Sequence, residues 1–185
     1  MNSRVGMHEV SRGGLTHIIR NLRERDRREI FALRWDDDED QFILDMERQA
    51  GAMWKVWSWD SVPVSVNGVV PVRPGVVVCG AFGTDDWRKT LRPMTHWSRT
   101  FVIPALQTSN YHRGEAYVLA TNTDSRRWIE MLGGRVEALL QGYGRNREDY
   151  LLSVWDLTKN RSDSDVHWRR GRGQQWPAIH QCELH

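Results

Sequence analysis

Few residues in this chain of 185 are arranged as metal-binding or catalytic groups usually are. His180, Cys182 and His185 are metal-ligand types, but no fourth such ligand stands near them, and a structural zinc site needs four. The acidic run 36–40 has neither the spacing nor the central glycine of a calcium-binding loop. We therefore predict no metal site. There is no Walker-type phosphate loop, and sequence order alone supports no Ser-His-Asp constellation.

A second group of chemically distinctive residues lies near the C-terminus and consists of Trp168, Arg169, Arg170, Arg172 and Trp176. Arginine and aromatic side chains separated by glycine can stack on nucleic-acid bases and pair with phosphates, so nucleic acid is one candidate partner. The same composition suits an arm whose tryptophans anchor it on a neighbouring protein. We favour the protein-binding interpretation and predict that these five residues contact a partner.

The composition is that of a soluble globular protein, with 39% hydrophobic and 27% charged residues. The net charge of +2 is too small to indicate nucleic-acid binding, and the excess lies within residues 157–185. No apolar run approaches the roughly 20 residues that span a bilayer, and the first residues lack the apolar stretch of a signal peptide. We expect an intracellular protein, or one packaged from a cytoplasm, with Cys79 as a buried thiol.

The elements that must position these residues begin with a short strand over 4–10. Ser11 is a suitable N-cap for a helix, and apolar residues then recur at helical spacing from Leu15 to Leu22. The acidic run suits the first turn of a second helix that ends near Gly51, because negative charge stabilises a helix N-terminus. Densely charged residues between these two helices predict a solvated face.

From Met53 onward the pattern changes to that of β-strands. Asn67 and Gly68 form the strongest short hairpin signal, and the apolar run Gly75–Phe82 predicts a buried strand. Thr84 or Asp85 can cap a following helix. The remaining predicted elements are a helix over Trp87–Thr108 that is kinked at Pro104, a strand over Ala116–Ala120, a helix over Asp124–Leu132, and strands over Val136–Leu140 and Tyr150–Trp155.

The resulting order, β-α-α-β-β-β-α-β-α-β-β, predicts an α+β domain over residues 1–156, followed by a C-terminal arm over 157–185. This order resembles the GNAT N-acetyltransferase fold. The segment Asn122–Gly133 carries the resemblance locally, because in that fold a helix beginning near Asn and ending in Leu-Gly follows the fifth strand. The resemblance implies a mixed, mostly antiparallel sheet of six to seven strands flanked by helices.

A narrower resemblance rests on four strings, which are Leu22–Ile30, Pro71–Gly75, Phe82–Trp87 and Arg126–Glu130. They are similar to a small GNAT-like family encoded by short-tailed phages and grouped with their internal virion protein A. This resemblance covers residues 4–156 and implies a virion structural or assembly protein. The implied partners are portal, tail or internal core proteins, or further copies of the chain. The implied location is the particle, or the host cytoplasm during assembly.

The GNAT resemblance also implies a cofactor loop after the fourth strand, in which glycine-rich backbone binds the pyrophosphate of acetyl-CoA. Here that loop has one glycine, and Asp85 and Asp86 stand where the anion would lie and would repel it. GNAT enzymes often place a proton-donating Tyr four residues before the glycine that ends the later helix, and this chain has Ile129 there. We therefore expect no catalytic residue and no cofactor.

The alternative implied by the same resemblance is an active acyl-CoA-dependent N-acetyltransferase with a divergent cofactor loop. In that case Gly83, Thr84 and Arg88 would hold acetyl-CoA.

Overall fold

Seven strands form one sheet in the order β1-β2-β3-β4-β5-β7-β6 in the computed structural model, which describes residues 4–49 and 53–158. In chain order the strands are β1 Val5–Glu9, β2 Lys55–Trp59, β3 Val62–Arg73, β4 Val76–Gly83, β5 Arg113–Leu119, β6 Arg135–Leu140 and β7 Tyr150–Asp156. The helices are α1 Arg12–Arg20, α2 Glu24–Phe31, α3 Glu39–Gln49, α4 Leu91–Trp97, α5 Ile103–Thr108 and α6 Thr123–Met131. The predicted α+β class and mostly antiparallel sheet are confirmed.

All neighbouring strands are antiparallel except β4 and β5. These two run parallel and pair only from Val76 with Arg113 to Val78 with Glu115. Beyond that point they separate, although β4 continues to Gly83 and β5 to Leu119. The sheet therefore opens as a V on the carboxyl side of this pair.

Helices cover the sheet on both faces, because successive residues of a strand point to opposite sides. On β4, Ala81 packs with the core formed by α4, α5 and α6, whereas Phe82 packs with the core formed by α1, α2 and α3. The first core also contains Leu157, which is buried beyond the end of β7. Within the described residues, no helix is both long and apolar enough to cross a membrane.

The structure has three helices before the first long strand, where the sequence predicted two. Helix α1 begins as predicted, because the Ser11 side chain accepts the N–H of Gly14. It ends at Asn21, whose side-chain amide bonds back to the carbonyl of His17. Arg23 is extended and starts α2 in a new direction. The sequence did not predict this break because it falls in a densely charged run, and charge alone does not mark the end of a helix.

The predicted hairpin at Asn67 and Gly68 is wrong. Strand β3 runs straight through both residues, and the turns lie at residues 60–61 and 74–75. Asn67 is buried, and its side-chain oxygen Oδ1 accepts the indole N–H of Trp57 at 2.7 Å. A Cβ on Gly68 would lie 2.5 Å from the Trp54 ring. Both residues are therefore explained by packing against tryptophans and not by a turn.

The predicted helix over Trp87–Thr108 is a 3-10 turn followed by a continuous helix over 91–108 that contains a π-helical turn. A 3-10 turn over Asp85–Lys89 precedes α4, and a π-helical turn over Ser98–Val102 joins α4 to α5. The Thr84 hydroxyl accepts the N–H of Asp86, so the predicted cap is confirmed. The helical backbone continues from Leu91 to Thr108. Pro104 therefore lies inside a helix, shortly after the π-helical turn that changes the hydrogen-bond spacing, and it has no N–H to donate.

Candidate functional site

The V between β4 and β5 holds a cavity of about 200 Å³. The parted strands contribute Cys79 to Phe82 on one side and Ala116 to Val118 on the other. Apolar side chains from α4, α5 and α6 close the far wall, among them Trp97, Leu106 and Ile129. Ile129 is buried, so the residue at the position expected for a proton donor contributes only apolar surface.

Two tryptophans fill the space between the turn that follows β4 and helix α6. The rings of Trp87 and Trp128 meet edge to face with centroids 6.0 Å apart. The Trp128 indole N–H donates to the Thr95 hydroxyl at 2.9 Å, and the Arg23 guanidinium lies 3.7 Å from the Trp87 ring centroid. Both indoles are buried, so they form part of the core at this mouth of the V.

Four backbone amides of the loop after β4 are bonded within the protein. The Gly83 N–H donates to the Asp26 carboxylate at 2.8 Å, and the Thr84 N–H donates to a carbonyl of β3 at 2.8 Å. The N–H groups of Asp86 and Trp87 donate to the hydroxyl and the carbonyl of Thr84, respectively. A phosphate-binding loop needs such N–H groups directed at the ligand.

Asp26 is almost fully buried, with 2% of its surface exposed. Arg23 forms a two-pronged pair with it, and both N–O distances are 2.7 Å. Burial raises the pKa of the Asp26 carboxyl, and the bonds from Arg23 and Gly83 oppose that shift. Through the bond from Gly83, the pair links the start of α2 to the end of β4.

A wider surface pocket of about 570 Å³ lies outside the two tryptophans, at the N-terminal ends of α2, the 3-10 turn and α6. Three of its four arginines pair with carboxylates. Asp124 pairs with both Arg25 and Arg88, and its bond from Arg25 is the main cause of its lowered pKa. The pocket lining contains Arg23, Arg25, Arg28 and Arg88 against Glu24, Asp85 and Asp124. The buried Asp26 carboxylate behind Arg23 brings the formal charge of the whole group to zero.

Glu29 is a titratable residue of the cleft that the sequence analysis missed. Its carboxylate accepts the N–H of Leu119, at the end of β5, and the side-chain N–H of Asn122, both at 2.9 Å. Withdrawal from solvent raises its pKa to about 7, against the effect of those two bonds. Glu29 lies in a densely charged stretch, so neither its residue type nor its spacing marked it as a site residue. Only the fold places this carboxylate at the V.

The other mouth of the V is bridged by two loops. The Arg145 N–H donates to the Ala32 carbonyl at 2.8 Å, and its guanidinium pairs with Asp37. The loop containing Arg145 also places Tyr143 flat against Tyr117, with ring centroids 5.8 Å apart. The segment between β6 and β7 is thereby fastened to the segment between α2 and α3.

Gly83, Thr84 and Arg88, which were predicted to hold acetyl-CoA in an active enzyme, each contact other residues of the protein. A Cβ on Gly83 would lie 2.7 Å from the Val64 carbonyl oxygen, so the glycine permits close packing of β3 and β4. Thr84 caps the 3-10 turn, and Arg88 is exposed beside Asp124. The predicted partner-binding residues, Trp168, Arg169, Arg170, Arg172 and Trp176, lie outside the described residues, as do His180, Cys182 and His185.

The predicted thiol and the acidic run fall within the described residues. Cys79 is partly buried and unpaired, and burial raises its pKa to about 12. In residues 4–49 and 53–158, no three His, Cys, Asp or Glu side chains cluster as metal ligands do.

No family model and no curated protein matches the sequence. The fold does match solved structures. The protein YncA of Salmonella typhimurium, determined with its cofactor acetyl-CoA, is 14% identical with a TM-score of 0.61, over 89% of this chain and 100% of that one. The ribosomal-protein-S18-alanine N-acetyltransferase of Escherichia coli is 13% identical with a TM-score of 0.60, over 89% and 99%.

A GNAT-family acetyltransferase of Bacillus anthracis is 11% identical with a TM-score of 0.61, over 85% of this chain and 97% of that one. The chain therefore has the GNAT N-acetyltransferase fold, as the sequence predicted. Indole rings occupy one mouth of the V, and carboxylate, hydroxyl and carbonyl oxygens take up the loop amides at Gly83, Thr84, Asp86 and Trp87.

Proposed function

We propose that this chain is a binding protein that uses the GNAT fold as a rigid docking body, without acetyl-CoA chemistry. The observation that carries the proposal is the bond from the Gly83 N–H to the buried Asp26 carboxylate. A pyrophosphate at this loop would have to replace an acceptor that is already charged, buried and held by Arg23. Displacing such a pair exposes an uncompensated charge, which is costly.

The setting we propose for this docking body is the particle of a short-tailed phage. Support comes from the four sequence strings at 22–30, 71–75, 82–87 and 126–130. In that setting the chain is a structural or assembly component that binds portal, tail or internal core proteins or further copies of itself. Incorporation into particles of the full chain, compared with a chain ending at Thr158, tests this role and the role of the C-terminal arm.

Calorimetric titration with acetyl-CoA tests the loss of the cofactor site. We expect no binding heat up to about 1 mM ligand, which corresponds to less than about 4 kcal/mol of binding free energy. An active GNAT enzyme titrated in the same buffer serves as the positive control. Binding in the low micromolar range would refute the proposal and favour an enzyme.

The second candidate function is an acyl-CoA-dependent N-acetyltransferase with a divergent loop. The observation that favours it is Glu29, because a carboxylate with a pKa of about 7 beside a cleft can accept a proton at neutral pH. A purified chain that acetylates a primary amine, with activity lost in Glu29→Gln, would establish this candidate. Without turnover, Glu29 serves to join α2 to β5.

A further inference from the structure

The cavity in the V between β4 and β5 has no role in the docking function proposed above. Its volume is about 200 Å³. Protein interiors rarely leave gaps larger than a water molecule, so a space of this size needs an explanation. An engineered cavity of about 150 Å³ with apolar walls stays free of water and binds benzene. The cavity in the V therefore has room for a ring system somewhat larger than benzene.

Small side chains create this space at the point where the two strands part. Cys79, Gly80 and Ala81 of β4 line one wall, and Gly114 and Ala116 of β5 line the other. Cys79 and Ala81 keep accessible surface although they belong to a central strand and pack against the core under α4, α5 and α6. The accessible surface of these two residues therefore faces the cavity.

The walls of the cavity suit an aromatic occupant. Aromatic rings attract one another in edge-to-face and offset stacked arrangements. The aromatic residues that line the cavity are Phe82, Trp87, Trp97, Tyr117, Trp128 and Trp155. The π-helical turn over Ser98–Val102 also contributes to the wall, and such turns are frequent at functional sites.

Glu29 supplies a hydrogen-bond acceptor at the wall of this largely apolar space. Its Oε2 accepts both the N–H of Leu119 and the side-chain N–H of Asn122. Its Oε1 has no hydrogen-bond partner within residues 4–49 and 53–158. A carboxylate oxygen that is withdrawn from water is stabilised by a ligand that donates a hydrogen bond to it.

We infer that the cavity binds a small aromatic molecule with one N–H or O–H donor, and that Oε1 of Glu29 accepts this donor. The ligand enters at the bridged mouth of the V, where Leu33, which is 43% exposed, and the partly exposed Tyr117 line the cavity. This site goes beyond the docking function. The two proposals fail independently, because binding of a small aromatic molecule and binding of acetyl-CoA are measured separately on the same protein.

Calorimetric titration of the full chain with indole and with indene tests the site, because the two probes have nearly the same shape and only indole has an N–H. At about pH 8.5 Glu29 is ionised, since its pKa is about 7. We expect indole to bind with a dissociation constant on the order of 0.1 mM. Indole should bind about tenfold or more tightly than indene, because its N–H donates to a charged acceptor. Failure of indole to bind, or equal affinity for the two probes, would overturn the inference.

Glu29→Gln tests the acceptor. The Gln oxygen keeps the bonds from Leu119 and Asn122, which turns the side-chain NH₂ toward the former position of Oε1. Two donors then meet, so the affinity for indole should fall about tenfold, to that for indene. Affinity for indene should stay the same, which shows that the cavity is intact. A persistent preference for indole would contradict the role of Glu29.

Ala81→Leu tests the location, because the larger side chain fills the space between the parted strands. We expect this variant to bind neither probe. Ala138→Leu is the matched control, because Ala138 is partly exposed in β6 and does not line the cavity, so this variant should bind indole as the wild type does. Circular dichroism checks that each variant is folded. Binding of indole that survives Ala81→Leu would place the site elsewhere and overturn the inference.

Discussion

The Asp26 carboxylate accepts the Gly83 N–H at 2.8 Å and so joins the start of α2 to the end of β4. In this structure the end of β4 is therefore bonded to a side chain of the protein itself. The same carboxylate holds Arg23, which lies over Trp87. Loop, helix and aromatic core are thus coupled through one buried acid.

Replacing Asp26 by Asn should destabilise the protein by about 3–5 kcal/mol, because a buried arginine then loses its counter-charge. The measurement is urea denaturation at neutral pH. Asp124→Asn is the control, since Asp124 pairs with Arg25 and Arg88 at the surface and its loss should cost about 1 kcal/mol or less. Equal effects of the two substitutions would contradict the assignment of Asp26 as the buried link.

Gly83→Ala should destabilise the chain by about 1–3 kcal/mol, because its Cβ would lie 2.7 Å from the Val64 carbonyl oxygen and 2.9 Å from the Trp87 Cβ. Gly13→Ala is the matched substitution. A Cβ on Gly13, within α1, would meet nothing within 4 Å, and alanine should stabilise the helix by about 0.5–1 kcal/mol. Thermal melts of both variants give the comparison. A neutral Gly83→Ala would mean that this glycine is not required for packing.

Much of the fold could be predicted from hydrophobic periodicity and caps. Ser11, Thr84 and Asn122 each cap a helical element at its first turn, and these local bonds need no knowledge of the rest of the chain. The pattern failed at Asn67 and Gly68, whose turn propensity is outweighed by the tryptophans that they accommodate. Such tertiary effects on local preference are invisible in a sequence window.

The candidate site was predictable only in part. The acidic loop after β4 and the aliphatic Ile129 were visible in the sequence as departures from the resembled family. The decisive contacts were not, because Asp26 and Glu29 lie 57 and 90 residues from the groups that they bind. Contacts over such separations follow from strand order and helix placement, which the sequence does not display residue by residue.

Glu29→Gln should change how stability depends on pH. Burial raises the pKa of Glu29 from 4.5 to about 7 in the folded chain, so ionising it favours unfolding. Relative to the Gln variant, the wild type should therefore lose stability as pH rises from about 4.5 to about 7, by roughly 3 kcal/mol, and then stay level. Denaturation curves from pH 4 to pH 9 give the difference. Parallel curves would mean that Glu29 titrates alike in both states.

Trp128→Ala tests whether the Trp128 indole alone prevents cofactor binding. The substitution removes a buried indole from the core and should cost about 3–5 kcal/mol of stability, whereas Trp35→Ala, at a fully exposed indole, should cost less than about 0.5 kcal/mol. Removing the ring leaves the N–H groups of Gly83 and Asp86 bonded to Asp26 and Thr84. Acetyl-CoA should therefore still fail to bind the folded Trp128→Ala variant in equilibrium dialysis, at a temperature well below its melting point. Micromolar binding by this variant, but not by the wild type, would show that the Trp128 indole, and not the loop amides, closes the site.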